Sequence, residues 1–436
     1  MITVEEHRAA VVSGVAPLGV RRVALREALG CVLAEDVTAS LAVPPFDNSA
    51  MDGYAVRAGD VAEAGEEAPV RLRVVGDVPA GSAERPEVLA GTAARIMTGA
   101  PMPPGADAVV PVERTDQPVG PGPGRQVPDA VAIHAPAGAH VRRAGEDVTA
   151  GDVVLRAGVE LGPRHLSTAA STGHDTLAVR PRARLGVLST GDELVPPGEP
   201  LGPGQIPDSN STLLLTLAES LGATAVPLGS VGDAPEELRD LLADNLERVD
   251  AIVTTGGVSA GAFDVVKEVL GPLGDVTFSS VAMQPGKPQG FGVLSRSGDD
   301  PDDGPGDGDC DAERRVPVFC LPGNPVSVFV SFVVFVDPAL RVMSGRGTPD
   351  EPASLRPVLL EAVAASGWRC PPGRRQYMPV VLERPADDRV LVRPANPRGS
   401  GSHLVASLAA ADALAVVEAD VDSVAEGDVV SVMMVP

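Results

Sequence analysis

Two lysines, Lys267 and Lys287, stand against 33 arginines in this chain, twenty residues apart and beside glycine-rich sequence. Arginine is a wide planar fork, whereas lysine is a compact point charge on a flexible stem. A position that keeps lysine in so arginine-rich a background points to an ammonium placed beside a crowded anion. Lys287, set between Gly286 and Pro288, fits that reading better than Lys267, which also reads as a solvated helix charge.

The residues that could share such an anion lie in three polar turns. Ser189-Thr190-Gly191 runs into Asp192 and Glu193; Thr254-Thr255-Gly256-Gly257 runs into Ser259; Pro322-Gly323-Asn324-Pro325 precedes an apolar run. Open parallel sheets bind ligands at the carboxyl ends of their strands, and helix N-termini offer free N–H groups to anions. Gly256 and Gly257 would let backbone approach a ligand closely, and Ser259 adds a hydroxyl. Carboxylates gather along the same rim: Glu193, Asp233 and Asp264, with Asp192. Several carboxylates near a phosphate-binding edge point to Mg²⁺, a hard cation that prefers oxygen ligands and bridges to substrate phosphates. Each, taken alone, also reads as a helix cap or a solvated charge. Asp60 and Asp77 lack this context and read as surface charges.

The elements that must position these turns are strand–turn–helix units starting near residue 182. Strands are predicted at Arg184 to Leu188, Val226 to Val231, Asp250 to Thr254 and Val316 to Leu321. Between them, Asp208-Ser209-Asn210 caps an apolar helix ending at Gly222, and Pro235 opens another helix running through Leu246. A further helix follows around Val265 to Leu270. Repeated units of this kind imply a parallel sheet covered on both faces. Residues 1–30 show helical spacing, first at Val4, His7, Ala10 and Val11, then at Leu25, Ala28 and Leu29. Residues 57–145 are short alternating runs rich in Val, Pro and Gly, which predict a compact β lobe; helical character returns at Pro163 to Ala169. The acidic stretch 298–311 reads as a disordered loop, and 352–436 as a small β domain.

Composition sets the outer limits. At 436 residues the chain should hold two to four domains, built mainly from Val, Leu and Ala because aromatics make up only 3%. The net charge of −24 argues against nonspecific binding to nucleic acid or to an anionic membrane. Four cysteines, Cys31, Cys310, Cys320 and Cys370, form no C-x-x-C pair, which favours reduced thiols and a cytoplasmic location over a zinc site. The apolar run Val326 to Val336 falls short of the ~20 residues a bilayer requires.

Beyond these turns, the strings PFDNSAMDGYA, RIMTGAPMPPGADAVV, RRAGEDV, STGDEL, DSN, TTGGVSAGAFD, QPGKPQGFG, LPGNPVS and GSGSH occur in that order along essentially the whole chain. As an ordered set they resemble the molybdopterin molybdenumtransferase family, which includes the bacterial MoeA proteins and the E domain of gephyrin. The resemblance implies an α/β multidomain fold. A parallel-sheet αβα molybdopterin-binding domain (181–340) would be flanked by an elongated N-terminal region, made of a linking domain (1–56 and 146–180) and a β-rich lobe (57–145), and by a C-terminal β domain (352–436). It implies insertion of molybdate into adenylylated molybdopterin, with Mg²⁺-assisted cleavage of the phosphoanhydride and release of AMP. It further implies a homodimer, with the cleft formed by the αβα domain of one subunit and the β lobe of the other, and transient contact with other cofactor-maturation enzymes.

Position by position, the resemblance marks Asp52 and Thr98 in the first lobe and Asp147, Glu193, Asp233 and Asp264 as acidic cleft positions. It marks Lys287, Ser259, Arg375 and Ser402 as anion-handling positions, and Pro322 and Pro325 as a rigid turn beside the site. Gln284 departs from a Lys-Pro-Gly-Lys form of the motif, which removes a two-lysine clamp; either Lys267 or Arg375 supplies the missing charge, or the anion is held more weakly. No Ser-His-Asp set is present, and the chemistry expected is electrostatic positioning. Because gephyrin's E domain also binds receptor peptides, a non-catalytic scaffold is the alternative. An adenylyltransferase resembling residues 182–340 alone is disfavoured by the flanking domains, and a P-loop NTPase by Pro288 following Lys287.

Overall fold

The computed structural model describes residues 1–117, 126–232, 234–258, 264–273, 276–295, 315–347, 355, 357–383, 389–396 and 401–436. The acidic segment 298–311 and Cys310 lie outside these residues. The chain divides into two compact units, one made of residues 1–21, 30–32 and 179–436, the other of 22–29 and 33–178.

The first unit opens on α1 (Val4–Ser13), capped by Thr3 in a reciprocal box with Glu6. Its main body is a six-stranded sheet. The strands are β1 (Arg184–Thr190), β2 (Thr224–Val231), β3 (Ala251–Thr255), β4 (Val276–Ser280), β6 (Pro288–Ser295) and β7 (Arg315–Leu321), in the order β2-β1-β3-β7-β6-β4. The short β5 (Met283–Gln284) lies outside this sheet. Strands β2, β1, β3 and β7 run parallel, in line with the repeated strand–helix units. Strands β6 and β4 extend the sheet antiparallel, which the sequence pattern did not indicate.

Side chains alternate between two cores, as the two-residue strand period demands. On one face Leu185, Val187, Val253, Phe319 and Leu321 pack with Leu214 and Leu217 of α2 (Ser209–Ser220). On the other, Leu188, Ile252, Val318 and Cys320 pack with Leu238 and Leu242 of α3 (Pro235–Asn245) and Val266, Val269 and Leu270 of α4 (Val265–Leu270). Asp208 caps α2 as expected, its Oδ1 accepting from the Ser211 N–H at 3.0 Å.

After β7 the chain enters α5 (Pro325–Ser331), a π-helical turn at Phe332–Val336, and α6 (Asp337–Ser344). The π turn leaves backbone groups out of step, and Arg8 of α1 meets one of them, its Nε donating to the Val334 carbonyl at 3.2 Å. Among the described residues Pro325–Ser344 is long and apolar enough to cross a membrane, but 94% of its most apolar window is buried in the core. The unit ends in a β-barrel of β8 (Leu359–Ala364), β9 (Arg375–Glu383), β10 (Leu391–Pro394), β11 (Ala413–Val417) and β12 (Val429–Met434). The barrel is closed by pairing of β9 with β11, and β5 pairs with the start of β9.

The second unit holds a five-stranded sheet ordered 108–111, 53–56, 92–96, 70–78, 130–133, and a helix at Pro163–Ser171. Two sequence expectations are corrected here. Leu25–Leu29 forms turns instead of a helix: wedged between a strand and Gly30 at φ 74°, the run is too short to repay helix nucleation. Asp77 is no free surface charge; it binds Arg95 through two hydrogen bonds of 2.8 and 2.6 Å. Asp60 accepts the Gly91 N–H at 2.9 Å.

Candidate functional site

The carboxyl ends of β1, β3 and β7 open onto a cavity of about 850 Å³. Each predicted polar turn contributes to its wall: Thr190 at the end of β1 with Gly191 and Glu193 after it, Gly256 and Gly257 after β3, and Pro322, Gly323 and Asn324 after β7. The glycines are there because the turns press on one another. Gly256 has φ 96°, and a Cβ on it would lie 2.6 Å from the Thr190 carbonyl oxygen. A Cβ on Gly191 would meet the folded-back Glu193 carboxylate at 2.5 Å.

A hydrogen-bonded brace locks the turns beneath the cavity. The Asn210 amide donates to Thr255 Oγ1 at 3.0 Å and to the Gly323 carbonyl at 2.6 Å, and Thr255 Oγ1 donates to the Pro322 carbonyl at 3.1 Å. Ser189 belongs to this support and does not line the cavity; it is fully buried and its hydroxyl meets Asp208 and Ser211. Pro325 likewise lies behind the lining, at the start of α5.

The turn following β5 supplies Lys287, with Gln284, Pro285 and Gly286, to the same cavity. Lys287 is exposed, and no described carboxylate lies within ion-pair distance of it. Asp264 also lines the cavity. It sits at the N-cap of α4 without making a capping hydrogen bond. Its Oδ2 is buried without a hydrogen-bond partner, and the Lys267 ammonium stands 3.5 Å away. Lys267 does not line the cavity; its ammonium lies 5.8 Å from the centre of the Phe278 ring.

The C-terminal barrel closes the cavity with Arg374, Gly401, Ser402 and His403. Ser402 is bound from both sides of its residue, by Asn324 Nδ2 to its hydroxyl at 3.0 Å and by the Val326 N–H to its carbonyl at 3.2 Å. Arg375 is placed differently from the sequence expectation. Its guanidinium is held by Glu5 and by Glu418, the latter at 2.7 and 2.9 Å. Burial works against its charge, but these two carboxylates outweigh burial and raise its affinity for the proton well above the ordinary arginine range. Arg375 therefore braces α1 against the barrel, and its neighbour Arg374 faces the cavity. The sequence did not distinguish the two: what separates them is that Arg375 opens β9, and successive residues of extended chain face opposite ways.

Asp233 and Ser259 lie outside the described residues. Asp52 and Thr98 belong to the second unit, where they are joined: the Thr98 N–H and hydroxyl both donate to Asp52 Oδ1, at 2.7 and 2.8 Å. Asp147 is exposed in that unit, its N–H bound to the Val43 carbonyl. His403, Arg374 and Ser327 are cavity residues that the sequence reading did not single out.

Family models match nearly end to end: the MoeA N-terminal region (domains I and II) at residues 2–173, a probable molybdopterin-binding domain at 186–342, and the MoeA C-terminal region (domain IV) at 361–435. Molybdopterin molybdenumtransferase 2 of Mycobacterium tuberculosis is 41% identical over 98% of both chains. Molybdopterin molybdenumtransferase of Haemophilus influenzae is 32% identical over 99% of this chain and 98% of its own. The crystal structure of a molybdopterin biosynthesis MoeA protein from Pyrococcus horikoshii aligns with a TM-score of 0.73 at 31% identity, covering 100% of this chain and 99% of that one. The ordered motifs, the cavity at the sheet edge and these full-length similarities agree: the chain belongs to the molybdopterin molybdenumtransferase (MoeA) family.

Proposed function

We propose that this protein inserts molybdate into adenylylated molybdopterin, cleaving the phosphoanhydride and releasing AMP. The observation that carries the reading is one cavity lined at once by Lys287 and Arg374 and by the carboxylates Glu193 and Asp264. Molybdate is a dianion, so holding it beside the pterin's phosphates requires fixed positive charge. Lys287 and Arg374 supply it, and backbone around Gly256 and Gly257 can approach the anion closely. Ser402, held by Asn324, offers an oriented hydroxyl. These groups would act by placing the oxyanion against the dithiolene.

The donor chemistry fits Mg²⁺. Glu193 and Asp264 would offer carboxylate oxygens on the cavity wall, Asp264 Oδ2 makes no hydrogen bond although the Lys267 ammonium faces it at 3.5 Å, and Asp233 is a third candidate from the sequence. Among the described residues no cluster of three such ligands forms, so the remaining ligands would have to come from water and substrate phosphates. Bound there, Mg²⁺ would neutralise charge on the phosphoanhydride as AMP leaves.

Asp52 and Thr98 retain their proposed functional role in the first lobe, and Asp233 and Ser259 theirs in the αβα domain. A homodimer, the four-domain division (1–56 with 146–180, 57–145, 181–340, 352–436) and a cytoplasmic location complete the reading. Incubation with adenylylated molybdopterin, molybdate and Mg²⁺, following AMP and mature cofactor together, tests it. Stoichiometric appearance of both is expected; pterin binding with no AMP released would favour a scaffold instead.

A further inference from the structure

The Lys287 turn is gripped from inside the protein by Gln289, the second glutamine of the QPGKPQGFG string. Gln289 lies on β6, opposite Ser279 of β4, and is 1% exposed. A primary amide has two N–H hydrogens, and here both are used: Nε2 donates to the Gly286 carbonyl at 2.6 Å and reaches Ser331 Oγ at 2.7 Å. A buried strand position ordinarily takes an apolar side chain, because an amide must first lose its water. The amide is therefore kept for what it holds.

What it holds are two walls of the cavity. Gly286 adjoins Lys287, has φ 104°, and has no room for a Cβ, which would lie 2.9 Å from Ser331 Oγ and 3.1 Å from Met283 Cε. Ser331 is fully buried at the end of α5, one helical turn beyond Ser327, which lines the cavity. Residues four apart share a helix face, so the Ser331 hydroxyl lies on the side of α5 that looks toward the site. The far end of the lysine turn is closed by the Val281 N–H donating to the Lys287 carbonyl at 2.8 Å.

We propose that Gln289, anchored on Ser331, is a positioning residue that fixes the Lys287 turn relative to the helix after the Pro322–Pro325 turn, and so sets the affinity of the site for the oxyanion. The proposal rests on the functional reading above. Lysine has a long flexible stem, so the placement of its backbone is what decides where its charge spends its time.

The test is steady-state kinetics of the full chain with molybdate and adenylylated molybdopterin varied in turn, for wild type, Gln289→Met and Ser331→Ala. Methionine keeps the volume and removes both donors. The expected result is a rise in half-saturating molybdate of about tenfold for Gln289→Met and a smaller rise for Ser331→Ala, with half-saturation for the pterin within about twofold of wild type. If Gln289→Met does not fold, Ser331→Ala, which removes only one partner of the amide, decides alone. Folded variants with unchanged molybdate dependence would overturn the positioning role. So would a parallel loss for both substrates, which marks general damage. A wild-type chain that releases no AMP would overturn the functional reading and this role with it, whereas an active wild type with indifferent variants overturns this role alone.

Discussion

Lys267 and Asp264 stand one helical turn apart, with Nζ 3.5 Å from a buried carboxylate oxygen that has no hydrogen bond. The chain's two lysines are thereby given different surroundings. Lys267 shares the charge of a cavity carboxylate from behind, while Lys287 enters the cavity with no described carboxylate beside it.

That arrangement makes Asp264 the residue most exposed to metal demand. Asp264→Asn keeps the shape and removes the charge, and half-saturating Mg²⁺ for AMP release should rise about tenfold. A magnesium titration of the purified variant checks it. An unchanged midpoint would remove Asp264 from metal handling.

The neighbouring arginines should separate cleanly. Arg374→Ala should raise half-saturating molybdate while leaving stability within about 0.5 kcal/mol, as for an ordinary surface substitution. Arg375→Ala leaves Glu5 and Glu418 without their common partner and should cost about 1–2 kcal/mol of stability, with molybdate dependence unchanged. Urea melts together with molybdate titrations decide between the two assignments, and the reverse pattern would restore Arg375 to the site.

His7 sets a pH dependence of stability. It is 4% exposed, packs edge-on to Phe335 at 4.6 Å between ring centroids, and burial lowers its pKa from 6.5 to about 4. Between these values the unfolded chain takes up a proton that the folded chain refuses, so its contribution is present above pH 6.5 and is lost as pH falls toward 4. At pH 5.5 the loss should be on the order of 1 kcal/mol relative to pH 7.5. Urea melts at both pH values measure it, and His7→Leu should remove that share of the difference. An identical difference in the variant would assign the acid sensitivity elsewhere.

Much of this arrangement was legible in the residues because its causes are local. Buried strands such as Ala251–Thr255 announce themselves as apolar runs, Asp208 caps its helix by its own side chain, and the glycines of the turns mark places with no room for a side chain. What could not be read depends on partners far away in the chain. Strand β6 contains Pro288, Gly290 and Gly292, which weaken its strand signal, and β4 reaches the sheet only by pairing with β6, which in turn pairs with β7. Asp77 reads as a surface charge until Arg95 is folded beside it. Arg374 and Arg375 differ only in which way the chain turns into β9. Gln289 looks like a polar strand residue until Ser331, 42 positions on, is brought within 2.7 Å.

Because the chain has only two lysines, their side chains can be watched one by one. With lysine labelled at ¹³Cε and each signal assigned by Lys267→Arg and Lys287→Arg variants, titration of the protein with molybdate in the presence of adenylylated molybdopterin tests the central claim directly. A saturable shift of the Lys287 signal is expected, with Lys267 responding instead to Mg²⁺ through Asp264. A Lys287 signal that stays fixed while the protein binds molybdate would contradict that claim.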